Sequence, residues 1–481
     1  MKKFFLFVLL GFFTIVIVLL IRTFTFNTKQ IKTEQQKRLV LDDSCIVHLQ
    51  KAIRFKTVSY DDAMKFDSLE FIGFQKFLKK TYPLVFTQMN LETVNRFSII
   101  LHWKGKNSNI KPIILMAHQD VVPIEQATIN KWTVPPFSGS LKNGFVYGRG
   151  TIDDKGSLIA ILESAEILLH EKFIPATDVY FVFGHDEEVS GLKGAKSVAK
   201  LFKKRNIHPE FVLDEGGIIT YDKIPGLEKP AAVVGISEKG YQTIDLQINI
   251  PGGHSSMPAE KTALDEMAKA VVKLKQNPFK PEMGYALNSF LNYVGPELPF
   301  SSKLAMANRE LFKPLIFNIY SKTATGNAVI RTTSATTIFN SGMKENAIPG
   351  QANATVNFRT QPGTSLKDVI DHVRKAIDND QIKIIARKTG SSASQIADVD
   401  SPSFKYIQKT LSGFDPKLVV APYLVLGATD GRYFGNLTPQ VFRFIPFPDP
   451  EGFHAVNERI RTDDFKKGIS FYYQLIKNYK K

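Results

Sequence analysis

The 481 residues carry 43% hydrophobic and 22% charged side chains with 31 Gly and 25 Pro, roughly three domains' worth of sequence, which excludes a staple-dependent mini-protein, a fibrous repeat and a disordered chain. The formal charge is +16, yet Lys and Arg are spread along the whole chain, which reads as a solvated basic surface and excludes a nucleic-acid-binding arm. The single Cys45 excludes an internal disulfide and leaves the redox compartment open.

In chain order, residues 4–21 (FFLFVLLGFFTIVIVLLI) come first and carry no charge. A helix of about 18 residues reaches about 27 Å, close to the hydrocarbon thickness of a bilayer. Lys2 and Lys3 precede it, Arg22 closes it, and the TFTFNTKQ that follows lacks a small-residue cleavage pattern. The expectation is a membrane anchor over 1–22 with the catalytic body outside the cytoplasm, a cleaved signal segment being the alternative. A polar linker follows over 23–41. From 42 to 236, short apolar runs alternate with helical periodicity, the pattern of an α/β catalytic domain with a helix-covered, mainly parallel sheet. Three runs, 113–117 (IILMA), 179–183 (VYFVF) and 211–213 (FVL), are each followed at once by acidic or imidazole side chains. Open α/β sheets bind ligands beyond the carboxyl ends of their strands, so these residues are expected to converge on one crevice.

From 237 to 390 the pattern changes. A strand-like GYQTIDLQINI, a helical TALDEMAKAVVKL, strands near 331–339 and 352–359, a helix, and a strand near 382–386 follow one another. That β-α-β-β-α-β order predicts an inserted ferredoxin-like α+β domain, a lid or dimerisation unit. Residues 391–481 return to the catalytic domain. A site shared between two domains implies hinges near 237–240 and 388–400. The insertion at 282–320 is unusually apolar for a loop; it covers core or forms an acyl-chain groove.

The chemistry-bearing residues follow the predicted strands. His118 in MAHQDVVP can offer one ring nitrogen to a metal while Asp120 accepts the other ring N–H and fixes the tautomer. Asp153 and Asp154 stand together in YGRGTIDDKG, Glu187 and Glu188 in FGHDEEVSG, Asp214 in LDEGG and His454 in EGFHAVNE. Two imidazoles and three carboxylates match two divalent ions, leaving about one positive charge to draw in a bridging hydroxide and lower the pKa of its water. A Glu–Glu pair supplies one ligand and one base. Zinc suits this mixture of N and O donors, with Co²⁺ or Mn²⁺ as substitutes.

The motifs AHQDVVP, YGRGTIDDKG, FGHDEEVSG, LDEGG, PGGHSSMP and EGFHAVNE together resemble the dinuclear zinc metallopeptidase family of aminoacylase, carboxypeptidase G and carboxypeptidase S. The pattern is nearest to the carboxypeptidase S and N-fatty-acyl-amino-acid synthase/hydrolase branch, and the likeness runs from about residue 42 to the C-terminus. It implies one zinc held by His118, Asp153 and Asp214, and a second held by Asp153, Glu188 and His454. It implies Glu187 as general base, Asp120 as the residue that orients His118, and a cis peptide after Asp153. His254 would reach the oxyanion, in dimeric members from the neighbouring subunit. Arg359 would clamp a substrate carboxylate, with Asn327, Thr429, Asp430 and Arg432 as further substrate contacts.

The expected function is release of an amino acid with a free carboxylate from an N-acyl amino acid or a peptide, by attack of a metal-bridged hydroxide. Dipeptidase or aminopeptidase activity is the alternative within the family, and Arg359 argues against recognition of a free amine as the main anchor. An inactive binding protein on the same fold is the alternative outside it; no departure at a ligand or at Glu187 supports that reading.

Overall fold

The apolar runs pair into one mixed sheet of nine strands, seen here in a computed structural model that describes residues 1–480. Its order is 90–94, 98–103, 179–184, 113–118, 211–214, 441–443, 231–238 and 419–425, with 218–220 added on 231–238. The central strands 179–184, 113–118, 211–214 and 441–443 run parallel, while 90–94 and 98–103 close one side antiparallel. Strand Ile113–His118 is buried at every position, which is why it reads as a continuous apolar run and not as an alternation. Successive strand residues face opposite layers: Leu115, Phe181 and Leu213 enter the larger core, and Ile114, Val182 and Val212 enter the core beneath helix Ala195–Lys204. Helix Lys155–His170 is buried along almost its whole length, packed between the sheet and the C-terminal helix Thr462–Lys477.

A second, four-stranded antiparallel sheet has the order 333–341, 351–360, 240–249, 383–386. Helices Ala263–Gln276 and Leu366–Ile377 cover it, burying Met267, Leu274, Val369 and Val373 against Ile244, Leu246, Val356 and Phe358. Thr262 caps the first helix by accepting from Asp265 N, and Ser365 with Asp368 forms a capping box on the second. Element order and strand pairing are those of the ferredoxin-like unit expected from the sequence. Two chain crossings join it to the larger sheet, and they lie side by side: Tyr241 N donates to Ser391 O, Ser394 N to Glu238 O and Ala397 N to Ile236 O. A Cβ on Gly240 would stand 2.3 Å from Thr360 Oγ1 and 2.6 Å from Ala393 N, so this close approach requires glycine.

The apolar insertion folds into helices Tyr285–Val294, Phe300–Ala307, Arg309–Ser321 and Ala324–Ile330. The first packs on strand Val419–Val425 of the large sheet, and Leu287, Leu291 and Ile330 form a small core of their own. The insertion thus covers core, one of the two readings above. At the N-terminus, Lys2–Phe24 is a helix. The 23–41 segment, expected as a linker, is fastened to the body. Gln30 Nε2 donates to Tyr293 O and Val420 O, Val420 N donates to Gln30 Oε1, Gln408 Nε2 to Lys29 O, and Gln36 N to Gly413 O.

Candidate metal centre and active site

The carboxyl ends of three parallel neighbours set the positions. Strand Ile113–His118 ends in His118, Val179–Gly184 leads into the 3₁₀ turn Glu187–Val189, and Phe211–Asp214 leads into Glu215. Asp153 and Asp154 arrive at the head of helix Lys155–His170, joined by a cis peptide bond as the resemblance implied. His454 comes from the loop before strand Arg459–Arg461, in a left-handed conformation with φ 53°.

His118 Nε2 lies 2.9 Å from Asp153 Oδ1 and 3.4 Å from Glu215 Oε1. His454 Nε2 lies 2.7 Å from Asp153 Oδ2 and 3.3 Å from Glu188 Oε2. Donor atoms about 2.0–2.2 Å from one tetrahedral cation stand roughly 3.3 Å apart. Two His–carboxylate triads, His118 with Asp153 and Glu188 and His118 with Asp154 and Glu215, have their donor atoms within 4.8 Å of one another, and Asp153 faces His118 with one oxygen and His454 with the other, a spacing that suits adjoining cation sites. The electrostatics agree. Burial, with the Asp153 charge adding to it, pushes the Glu188 carboxyl up to about 7 and that of Glu215 up to about 8. Bonds to Asp153 and Glu188 hold the His454 imidazole up at about 10. So many acids in one buried crevice need positive charge beside them, and divalent cations provide it. Glu188 Oε1 and Asp154 Oδ1 are buried with no protein partner. The donor set fits a dinuclear metal centre.

Asp120 supports this crevice from below. Its Oδ1 is 3.4 Å from His118 Nδ1, and its two oxygens accept from the backbone N–H groups of Glu187 and Glu188 at 3.2 and 3.1 Å. His118 Nδ1 bonds the Asp120 backbone carbonyl at 3.0 Å, so Asp120 fixes the first imidazole chiefly through its main chain and the turn that carries both glutamates through its carboxylate. Burial pushes the Glu187 carboxyl well up, and Glu215, Asp430 and Glu188 add to the rise while His118 opposes it. A carboxyl with high proton affinity, placed beside the triads and free of them, is equipped to take and return a proton.

Several expected site residues stand elsewhere. Asp214, expected beside His118, turns away: its Oδ2 accepts from Gly431 N at 2.5 Å, and Glu215 takes the place facing the imidazole. The reason is alternation, since consecutive residues at a strand end point to opposite sides. His254 is exposed on the short strand Gly253–His254, with Nδ1 2.7 Å from Ser256 Oγ, and no described contact brings it to the triads. Thr429 donates its hydroxyl to Glu238 Oε2, which commits that hydroxyl to holding the chain. Both Asp430 oxygens are buried without a partner, between Gly184 and Gly191, where added Cβ atoms would lie 2.5 and 1.9 Å from them. Arg432 donates to Thr429 O and Ser190 O, just beyond the Glu187–Val189 turn. Arg359 is half-buried, its guanidinium 4.8 Å from the Tyr241 ring centroid. Among the described residues no carboxylate pairs with it. Burial lowers its proton affinity and the neighbouring Arg432 charge lowers it further. Asn327 is half-buried on helix Ala324–Ile330.

Two residues of the site were missed in the sequence. Glu215 had a signal, as the second acid of LDEGG. Glu458 is the last residue of EGFHAVNE, four after His454. Fully buried, it accepts from the N–H groups of Gly150, Ile152 and Asp153 through Oε1 and bonds Arg149 through Oε2. It thereby fixes the loop that presents Asp153.

A family model described as Peptidase family M20/M25/M40 matches residues 114–478. The chain belongs to this family. It is accordingly a metallopeptidase or amidohydrolase enzyme. "Probable carboxypeptidase S-like 2" of Dictyostelium discoideum is 41% identical over 97% of this chain and 92% of its own length. The human "N-fatty-acyl-amino acid synthase/hydrolase PM20D1" is 35% identical over 89% of this chain and 86% of its own. Among solved structures, the M20 family metallo-carboxypeptidase Sso-CP2 from Sulfolobus solfataricus superposes with a TM-score of 0.65 at 20% identity, covering 91% of this chain and 99% of that one. That likeness shows a shared fold.

Proposed function

We propose that the protein releases an amino acid bearing a free carboxylate from an N-acyl amino acid or a blocked peptide, using two bound zinc ions. His118, Asp153 and Glu215 would hold one ion, and Asp153, Glu188 and His454 the other. The pair, when bound, supplies Lewis-acid activation of water and of the scissile carbonyl. Glu187 takes the proton of the attacking water and returns it to the leaving amine nitrogen, so that acid and base are one group. Asp120 holds His118 and the Glu187–Glu188 turn in register with each other. Glu458 holds the backbone of Asp153.

The observation that carries the substrate assignment is Arg359: a half-buried guanidinium with no carboxylate partner among the described residues, electrostatically coupled to Arg432. A half-buried guanidinium without a carboxylate partner favours an anionic ligand, and its planar fork binds a carboxylate through two hydrogen bonds. That supports a substrate read from its carboxyl end. The curated relatives support the same class, one being named as a carboxypeptidase and the other as an N-fatty-acyl-amino acid hydrolase. The inserted ferredoxin-like unit carries Arg359 and the large sheet carries the triads, so closure about the paired crossings would complete the site. His254, exposed on the same unit, is free to serve a neighbouring subunit's site in a homodimer.

Product release from an N-lauroyl amino acid, an N-benzyloxycarbonyl dipeptide and a free dipeptide tests the reading. Turnover of either blocked substrate is expected to exceed that of the free dipeptide, and Arg359→Ala is expected to raise KM at least about tenfold with a smaller change in kcat. A preference for the free dipeptide would overturn the reading in favour of an amine-recognising peptidase.

A further inference from the structure

The N-terminal helix Lys2–Phe24 is uncharged over 4–21, yet it does not stand clear of the body. Val16, Leu19 and Leu20 are partly covered and Thr23 is 1% exposed. Their spacing is that of one helical face. What covers them is helix Phe300–Ala307, the first arm of a helical hairpin whose second arm is Arg309–Ser321. Asn308, at its turn, is buried and donates to Leu19 O at 3.1 Å and to Thr23 Oγ1 at 3.3 Å. The rings of Phe24 and Phe300 stand 5.9 Å apart. From Val16 to Thr23 the helix rises about 10 Å. A hairpin that contacts this stretch lies at the same depth as the last third of the apolar segment.

The chain between helix and body cannot loosen this arrangement, because the 23–41 segment is fastened along the body by the bonds of Lys29, Gln30 and Gln36. Thr28 adds a hydrogen bond to Glu297, beside the hairpin. The hairpin meanwhile shows solvent an apolar stripe. Leu311, Leu315 and Ile319 are 61, 48 and 44% exposed at successive i, i+4 positions, with Phe300 52% exposed. Lys303, Arg309, Lys313 and Lys322 are interspersed with these apolar side chains.

We infer that the hairpin Phe300–Ser321 is a membrane-docking element, its Leu311, Leu315 and Ile319 stripe seated in the headgroup and upper acyl region of the leaflet that the N-terminal helix enters. The inference rests on reading that helix as a bilayer span. Continuity with the span decides for a phospholipid surface over a second protein copy. Long cationic side chains suit such a place, since their stems lie along apolar surface while their heads reach phosphates. The hairpin runs through Ser321 toward helix Ala324–Ile330, which carries Asn327. The substrate class that such docking favours is an N-acyl amino acid whose chain is dissolved in the leaflet.

The test uses the full chain in phosphatidylcholine/phosphatidylserine vesicles, with a bimane label on Leu315→Cys or, as control, on Val272→Cys, both in a Cys45→Ser background. The Leu315 label is expected to be quenched by doxyl-bearing lipid and shielded from aqueous iodide, and the Val272 label to show the reverse. A Leu315 label open to iodide and unquenched by lipid would overturn the docking. Shielding from iodide without lipid quenching, together with a doubled particle mass, would assign the stripe to a second copy instead. Alkaline carbonate extraction separately reports the span, and release of the protein would remove the ground of the inference. The triple variant Leu311→Glu/Leu315→Glu/Ile319→Glu gives the functional readout. Its hydrolysis of vesicle-borne N-lauroyl substrate is expected to fall at least about tenfold while turnover of a soluble short-chain N-acyl substrate, which reports intact folding, stays unchanged. Equal turnover of both substrates at wild-type rates would contradict the inference.

Discussion

The division of labour between Asp214 and Glu215 decides what the first cation site is made of. Glu215 faces His118, whereas Asp214 is engaged by Gly431 N. Glu215→Gln is therefore expected to lose about one of two metal equivalents and to lower kcat/KM at least a hundredfold, a typical effect being 10–100-fold even for groups one step removed from a metal. Asp214→Asn is expected to keep both equivalents. Metal analysis of the two purified variants checks this, and the opposite pattern would restore Asp214 as the ligand. Sequence could not separate them, because adjacent acids at a strand end differ only in which side they face. His118, Asp153, Glu188 and His454, singled out in the sequence, do stand together in the fold, while the roles expected of them came from the resemblance. Asp120 shows the limit of such legibility. Its place beside His118 follows from a two-residue spacing, but its hold on the backbone of Glu187 and Glu188 depends on a turn 67 and 68 residues away in sequence.

At the scale of elements, the loop carrying Asp153 hangs on Glu458, whose carboxylate satisfies three backbone N–H groups and Arg149. Removing one partner of a buried ion pair leaves the other uncompensated, a loss of about 3–5 kcal/mol. Glu458→Ala is expected to lower the urea midpoint accordingly, and a loss below about 1 kcal/mol would show that the loop is held by other means. The crossings between the two sheets are comparably tight. Gly240→Ala places a methyl group within 2.3 Å of Thr360 Oγ1 and 2.6 Å of Ala393 N, and forced crowding of this kind costs about 1–3 kcal/mol. Denaturation of Gly240→Ala is expected to show that loss, and wild-type stability would mean that the crossings can spread freely. Strand and helix identities in the inserted unit were legible because both periods are clear and both helices carry caps. The four helices within 282–330 are harder to read from sequence, because Pro296, Pro299 and Pro314 interrupt the stretch and leave only short runs of helical period.

For the molecule as a whole, the interior position of Lys239 links stability to pH. Burial pulls its ammonium down to about 7, with the Arg359 charge adding to the effect, and its Nζ donates to Ala328 O and Arg331 O. An unfolded lysine titrates near 10.4. Between about 7 and 10 the unfolded chain therefore binds more protons than the folded one, and stability rises with pH across that window. Lys239→Met is expected to flatten this slope relative to wild type in denaturation measured at pH 7 and pH 10, and parallel slopes would mean that the buried amine keeps its ordinary proton affinity. The large-scale plan, an α/β sheet with an inserted α+β unit and an apolar N-terminal helix, was legible from periodicity and composition. The fastening of residues 23–41 was not, because its polar side chains bond to backbone groups far away in sequence, and composition alone reads such a stretch as a linker.

The central claim is that Glu187 moves a proton beside a dinuclear metal centre it does not help to hold. Metal content and single-turnover cleavage of an N-lauroyl amino acid, measured on the same preparations of wild type and Glu187→Gln, test it most directly. The expected result is two metal equivalents in both proteins with cleavage slowed about 10²–10⁴-fold in the variant, the range of general acid–base catalysis. Cleavage at the wild-type rate by Glu187→Gln, or loss of metal in step with loss of activity, would contradict the account.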